Sequence, residues 1–324
     1  MNILTDKAPL LKARDIRTWF PVKRGIFSKT VGHVRAVDGV SFDIYKGMTL
    51  GLVGESGCGK TTLGRTLLGL EKIRSGSVVF LGKLMTGAKR SGSKKLRRKM
   101  QMIFQDSLLS LNPRMNVLDI VTEALVEFGM IKGDRKSRAI ELLADVGLDE
   151  SGIYQYPHEF SGGQRQRINI ARAISMKPDF IICDEMVSAL DVSVQARVVN
   201  LMLDLSKTFG LSYLFISHDL SVVSNIADNI AVMYLGKFVE YGATADIMGS
   251  PRHPYTKALI SAVLTPESRE KGRIVLRGET PSPISPPSGC GFHTRCPEAM
   301  EICRNEMPEE SKKKGRKVWC HLCK

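Results

Sequence analysis

The sequence predicts an α/β fold built on a parallel sheet, and three observations carry that prediction. Short, continuous apolar runs, FIIC at 180–183 and YLFIS at 213–217, have the texture of strands buried on both faces. A Gly-rich loop separates a strand-like segment (40–53) from a helix-like one (60–70). Residues 115–147 and 163–176 place apolar side chains at helical spacing. Length and composition agree. The chain has 324 residues, 43% hydrophobic and 25% charged, which excludes a disordered or fibrous chain and suggests about two core-forming units.

In order along the chain, residues 40–53 (VSFDIYKGMTLGLV) read as two strands about a Lys46-Gly47 turn. VVFLG at 78–82 is a further strand, followed by a basic, Gly-broken stretch at 89–99. Three strand ends carry polar residues: GESGCGK, then Asp184-Glu185, then His218-Asp219. Open parallel sheets bind ligands at the carboxyl edge, so these endings are expected to share a crevice. PRHPY at 251–255 and PSPISPP at 281–287 read as a boundary and a stiff linker, with a Cys-rich tail beyond.

The charged N-terminus lacks a secretory apolar core, and no run approaches the ~18 apolar residues of a membrane span, so a cytosolic chain is expected. The net charge of +14 favours anionic partners without choosing among them. The basic runs at 89–99 and 312–317 read first as solvated faces, then as neighbours of anionic lipid. Nucleic acid comes last, because neither run interleaves aromatics.

Gly54-Glu55-Ser56-Gly57-Cys58-Gly59-Lys60-Thr61, followed by Thr62, fits G-x-x-x-x-G-K-[ST] between a strand and a helix. Glycines let successive N–H groups face phosphate oxygens at a helix N-terminus. Lys60 is the candidate for the β- and γ-phosphates and Thr61 for Mg²⁺. Cys58 reads as a small space-filling residue. Asp184 is a second Mg²⁺ candidate and Glu185 a general base that polarises the attacking water. His218 is a candidate γ-phosphate contact at the same edge.

Ser161-Gly162-Gly163-Gln164 ahead of a helix resembles the signature motif of ATP-binding cassette (ABC) ATPases. GESGCGKTT, Gln105 in MQMIFQD, SGGQRQR, FIICDE, SALD at 188–191 and the SHD histidine follow that family's order and spacing over residues 15–245. VRAVDGVSF, LSLNPRM, HPYTKAL and PSPISPPSGCGFHTRCPEA further resemble the ATPase subunits of oligopeptide and dipeptide importers. Met186 departs from that pattern, which has proline after the glutamate; Phe160 replaces a leucine common among ABC proteins but suits this subfamily.

The resemblance implies a P-loop NTPase core with an antiparallel β edge and a helical subdomain near 106–175. It implies an ABC ATPase domain over 1–250 and an importer-type C-terminal region over 251–324. In this family ATP lies between the phosphate loop of one ATPase and the SGGQ of another. Gln105 joins the Mg²⁺ and water network, and Asp191 lies at the subunit contact. Phe20 is a candidate adenine platform. Expected partners are two membrane permeases, a second homologous ATPase and an external solute-binding protein, with no nucleic acid. The expected place is the cytoplasmic membrane face. Nickel or oligosaccharide as solute is the alternative within the importer class, and a ribosome- or nucleic-acid-associated ATPase the alternative outside it.

Five of the seven cysteines crowd the tail: Cys290, Cys296, Cys303, Cys320 and Cys323. Spacing alone leaves Zn²⁺ and an iron–sulfur cluster both open. The resemblance implies a 4Fe–4S cluster on Cys290, Cys296, Cys303 and Cys320, with Cys323 spare. A Pro-rich tail with little core of its own would draw much of its folding energy from such a metal.

Overall fold

A computed structural model describes residues 8–25, 28–85, 96–131, 133–263, 274–313 and 315–323. In chain order the elements begin with β1 (Leu11–Arg24), β2 (Lys29–Ile44), β3 (Thr49–Val53), α1 (Lys60–Leu67), β4 (Ser75–Phe80) and β5 (Lys83–Leu84). β6 (Met100–Ile103), α2 (Val117–Glu127), α3 (Arg135–Asp145), α4 (Gly162–Ser175) and β7 (Phe180–Asp184) follow. Next come α5 (Val192–Phe209), β8 (Ser212–Ser217), α6 (Leu220–Ile226), β9 (Asn229–Tyr234) and β10 (Lys237–Ala243). The chain then forms α7 (Thr244–Gly249), α8 (Pro254–Ser261), α9 (Glu301–Asn305), β11 (Glu310–Lys313) and β12 (Arg316–Trp319). The basic run at 89–99 lies mostly outside the described residues.

The chain divides into two compact units: Met1–Ile44, Thr49–Gly87 and Ile216–Lys324 form one, and Tyr45–Met48 with Ala88–Phe215 the other. In the first, β2-β1-β4-β5 form an antiparallel sheet. Alternation buries Leu11 and Ala13 and leaves Lys12 outside, and an irregularity at Asp15, at φ 46°, shifts the register so that Ile16 is buried as well. A second set of strands runs β11-β12-β10-β9-β3, with β3 parallel to β9 and the rest antiparallel. β3 is buried at every residue, which is why TLGLV reads as a continuous apolar run.

In the second unit β6 pairs in parallel with β7, and β8 follows β7 in strand order. The helices α2, α3 and α4 lie in the span the sequence assigns to helix, and their starts are chemically marked. Asn116 and Asp134 cap α2 and α3 by accepting backbone N–H bonds. Arg135 bridges the first two helices through Asp119 at 2.7 Å and Thr122 at 2.7 Å.

Beyond residue 250 the chain packs against elements that precede it. PRHPY is a helix start: His253 caps α8, with Pro254 in its first turn, and His253 and Tyr255 are buried. Phe292 is 1% exposed, packed at 5.2 Å from the Tyr234 ring and 5.4 Å from the Tyr255 ring. In the run at 312–317, Lys312 and Lys313 end β11 and stay exposed, while Arg316 and Lys317 open β12. Its Arg316 is buried and pairs with the fully buried Glu240. The tail therefore folds onto β9, β10 and α8, drawing on a core it shares with them.

Candidate functional site

Phe20, the phosphate loop and His218 belong to the first unit; Gln105, Asp184, Glu185, the SGGQ turn and Asp191 belong to the second. The loop leaves the end of β3 and enters α1 at Lys60. Gly59 adopts φ 109°, and a Cβ there would sit 1.9 Å from the Ala36 carbonyl oxygen, so only glycine is accommodated. The Gly236 N–H donates to the Cys58 carbonyl at 2.9 Å, tying the loop to the β9–β10 turn.

Lys60 is buried, and its ammonium donates to the carbonyls of Gly54 (2.8 Å) and Glu55 (3.0 Å). A buried cation held at a glycine-lined helix start is a donor set that fits a polyphosphate. Ser56 and Gly57 are exposed, and Thr61 and Thr62 are half-buried at the first turn of α1. Cys58 is 2% exposed and burial pushes its thiol up, consistent with space-filling.

Glu55 is held by residues that sequence reasoning did not single out. Its backbone N–H donates to the Tyr255 hydroxyl at 2.8 Å. Its carboxylate accepts from Arg295 Nη1 at 2.7 Å, Arg295 Nη2 at 3.0 Å and Thr280 Oγ1 at 2.8 Å. Burial alone would raise its pKa; the Arg295 and Thr280 hydrogen bonds and the charges of Arg295 and Lys60 outweigh that and hold it below the ordinary value. These partners lie 200 to 240 residues away in sequence, beyond the reach of spacing arguments.

Phe20 stands on β1 opposite Val34 and is 36% exposed. Its neighbour Trp19 is occupied instead, with the guanidinium groups of Arg35 at 4.8 Å and Arg74 at 4.3 Å from its ring. His218 is exposed just after β8.

In the second unit Asp184 ends β7 and is 2% exposed. Glu185 follows in the left-handed region at φ 45°, an uncommon state for a residue with a Cβ. Ser188 fixes it there, donating both its N–H (3.2 Å) and its hydroxyl (2.9 Å) to the Glu185 carbonyl. Gln105 Nε2 donates to Glu185 Oε2 at 3.1 Å, so two of the predicted site residues meet directly.

Ser161 and Gln164 form a capping box on α4: the Gln164 N–H donates to Ser161 Oγ at 3.3 Å, and the Ser161 N–H to Gln164 Oε1 at 2.9 Å. Gly162 and Gly163 open that helix, and a Cβ on Gly163 would meet Val194 at 2.5 Å. Asp191 caps α5, accepting from the Val194 N–H and the Ser193 hydroxyl, which lower its pKa. Met186 is buried.

The expected iron–sulfur cluster, and zinc as its alternative, require correction. Among the described residues no group of three or more His, Cys, Asp or Glu side chains is placed to hold a metal ion. Cys290, Cys296 and Cys320 do neighbour other cysteines. Burial, reinforced by those neighbours, raises all three thiols, Cys320 to about 12. Cys303 is buried, with its carbonyl accepting from the Cys290 N–H at 2.8 Å. The aromatic packing of Phe292 and the Arg316–Glu240 pair supply the anchorage that the sequence reading assigned to a metal.

The family model described as ABC transporter matches residues 37–188, and that described as the oligopeptide/dipeptide transporter C-terminal region matches 239–303. The oligopeptide transport ATP-binding protein AppF of Bacillus subtilis is 50% identical over 98% of both chains. The chain belongs to the ABC transporter family of ATP-binding proteins. It is an ATPase subunit of that family. The dipeptide transport ATP-binding protein DppF of Escherichia coli is 48% identical over 98% of this chain and 95% of its own. Among solved structures, cbiO1 of Clostridium perfringens, part of an ABC transporter complex, superposes with TM-score 0.65 at 25% identity, covering 75% of this chain and 92% of that one. A dimeric ATP-binding cassette in a post-hydrolysis state with ADP and Pi gives 0.63 at 25%, covering 72% and 98%. Family and fold thus agree with the expectation of a P-loop ABC ATPase. Among the described residues no helix is long and apolar enough to cross a membrane.

Proposed function

We propose that this chain binds and hydrolyses ATP to power an ABC importer for di- and oligopeptides. The observation that carries the reading is the 50% and 48% identity to AppF and DppF over 98% of this chain, joined with the match of residues 239–303 to the importer-type C-terminal region. The cassette over 1–250 is the motor, with its helical subdomain near 106–175, and 251–324 is the importer-type addition. The chain works at the cytoplasmic face of the membrane with two permeases, a second homologous ATPase and an external binding protein. Nickel, oligosaccharide and nucleic acid find no support among the relatives.

Within this reading, Gly54 to Thr62 cradle the phosphates and Lys60 pairs with the β- and γ-phosphates. Thr61 and Asp184 hold Mg²⁺, which when bound neutralises phosphate charge. Glu185 accepts the proton of the attacking water, aimed by its left-handed backbone and by Gln105. His218 steadies the γ-phosphate and Phe20 stacks on adenine. The Ser161-Gly162-Gly163-Gln164 turn presents the start of α4 to ATP held by a partner ATPase, with Asp191 at that contact. The test is Glu185→Gln in the assembled transporter: ATP binding is retained and turnover falls at least about a hundredfold. Turnover within a few-fold of wild type removes Glu185 as the base.

A further inference from the structure

Glu55 is the only acid in the phosphate loop, and it sits where a phosphate-binding surface should repel it. Its carboxylate lies within the field of Lys60, the cation expected to meet the phosphates, so an uncompensated Glu55 competes with ATP for that charge. The structure answers this from the far end of the chain. Arg295, its side chain only 8% exposed, meets both carboxylate oxygens in a two-pronged pair. Thr280 donates to the same carboxylate, and Tyr255, fully buried, accepts the backbone N–H of Glu55. The residue is thus held at backbone and side chain together by chain beyond residue 250. The segment bearing Arg295 is itself fixed by Phe292, three residues earlier, which packs against both the Tyr234 and Tyr255 rings.

We propose that Arg295 is a positioning residue for the ATP site, acting through Glu55: it cancels the negative charge in the phosphate loop and fixes that loop from the C-terminal region. The inference rests on the reading of Gly54 to Thr61 as the ATP phosphate loop. It also gives the C-terminal region a role in nucleotide binding, in addition to any role in recognising transporter partners.

The roles of charge and of mere packing separate in one experiment. ATP–Mg²⁺ affinity is measured by calorimetric titration on the full purified chain and on Arg295→Gln, Arg295→Lys and the double variant Glu55→Gln/Arg295→Gln, at low and high salt. Arg295→Gln is expected to weaken ATP binding about tenfold, or about 1.4 kcal/mol. The loss should shrink at high salt, because it arises from an unpaired carboxylate near an anion. Arg295→Lys, which keeps the charge but not the fork, should fall between wild type and Arg295→Gln. The double variant removes the stranded charge and should recover to within about threefold of wild type. Wild-type binding with Arg295→Gln unchanged overturns the inference alone. A double variant as weak as the single, with no salt dependence, makes Arg295 a structural prop and overturns it too. A wild-type chain that binds no ATP overturns both the inference and the site reading on which it rests.

Discussion

Replacing Arg316 by methionine tests how the C-terminal region is held. Arg316 and Glu240 have side-chain exposures of 5% and 0%. Glu240 accepts from Arg316 Nε at 3.0 Å, from Arg316 Nη2, and from the N–H groups of Arg252 (3.0 Å) and His253 (3.1 Å). Arg316→Met keeps the aliphatic bulk but strands a buried carboxylate, and breaking such a pair costs about 3–5 kcal/mol. The two backbone donors that remain keep the cost near the lower end, about 3 kcal/mol. For a cooperative unit of about 150–250 residues this corresponds to a drop in melting temperature of about 6–12 °C. Adding Glu240→Gln removes the stranded charge but leaves one acceptor oxygen for the two N–H groups of Arg252 and His253, so part of the loss, up to about half, should be recovered. Scanning calorimetry of the wild type, the single and the double variant is the assay. A drop below about 2 °C in the single variant, or a double variant no better than the single, would mean that the buried pair does not hold the C-terminal region.

Two further outcomes follow from the same geometry. Burial, with the charge of Lys257 second, depresses His253 to about 3 from an ordinary 6.5, so the folded chain keeps it neutral while the unfolded chain takes up a proton below 6.5. Stability is therefore lost as pH falls from 6.5 towards 3, and from 6.5 to 5.0 the wild type should lose about 1.5–2 kcal/mol more than His253→Gln. Parallel denaturation profiles for the two proteins would contradict this. Phe20→Ala removes an exposed ring that the proposal places on adenine, and stacking of about 1–3 kcal/mol predicts roughly tenfold weaker ATP binding; an unchanged dissociation constant assigns adenine to another surface.

The legible parts of the sequence were those in which local chemistry forces local structure. FIICDE announced β7 and the two acids at its end, because a strand buried on both faces has a continuous apolar run and stops where polarity returns. SGGQ announced a helix start, and the Ser161–Gln164 capping box is the local reason. Gln105 and Glu185 are each singled out by family order, but their direct contact, across 80 residues of sequence, is not legible there.

The tail was misread because its determinants are non-local. The basic run at 312–317 looks solvated until the pairing of β12 with β10 brings Arg316 to Glu240, 76 residues away. Cysteine crowding pointed to a metal, yet the side chains form no metal-holding group among the described residues, and an aromatic cluster anchors the segment. Arg295 carried no signal at all: a lone arginine beside a cysteine does not disclose a partner in a loop 240 residues earlier.

Whether ATP turnover on this chain powers peptide import is decided by uptake of labelled di- and oligopeptides in its own cells with the chain deleted, then restored as wild type or as Glu185→Gln. Uptake is expected to be lost on deletion, to return with the wild type and not to return with Glu185→Gln. Uptake that persists after deletion, or that returns equally with Glu185→Gln, would mean that ATP turnover on this chain does not power that import.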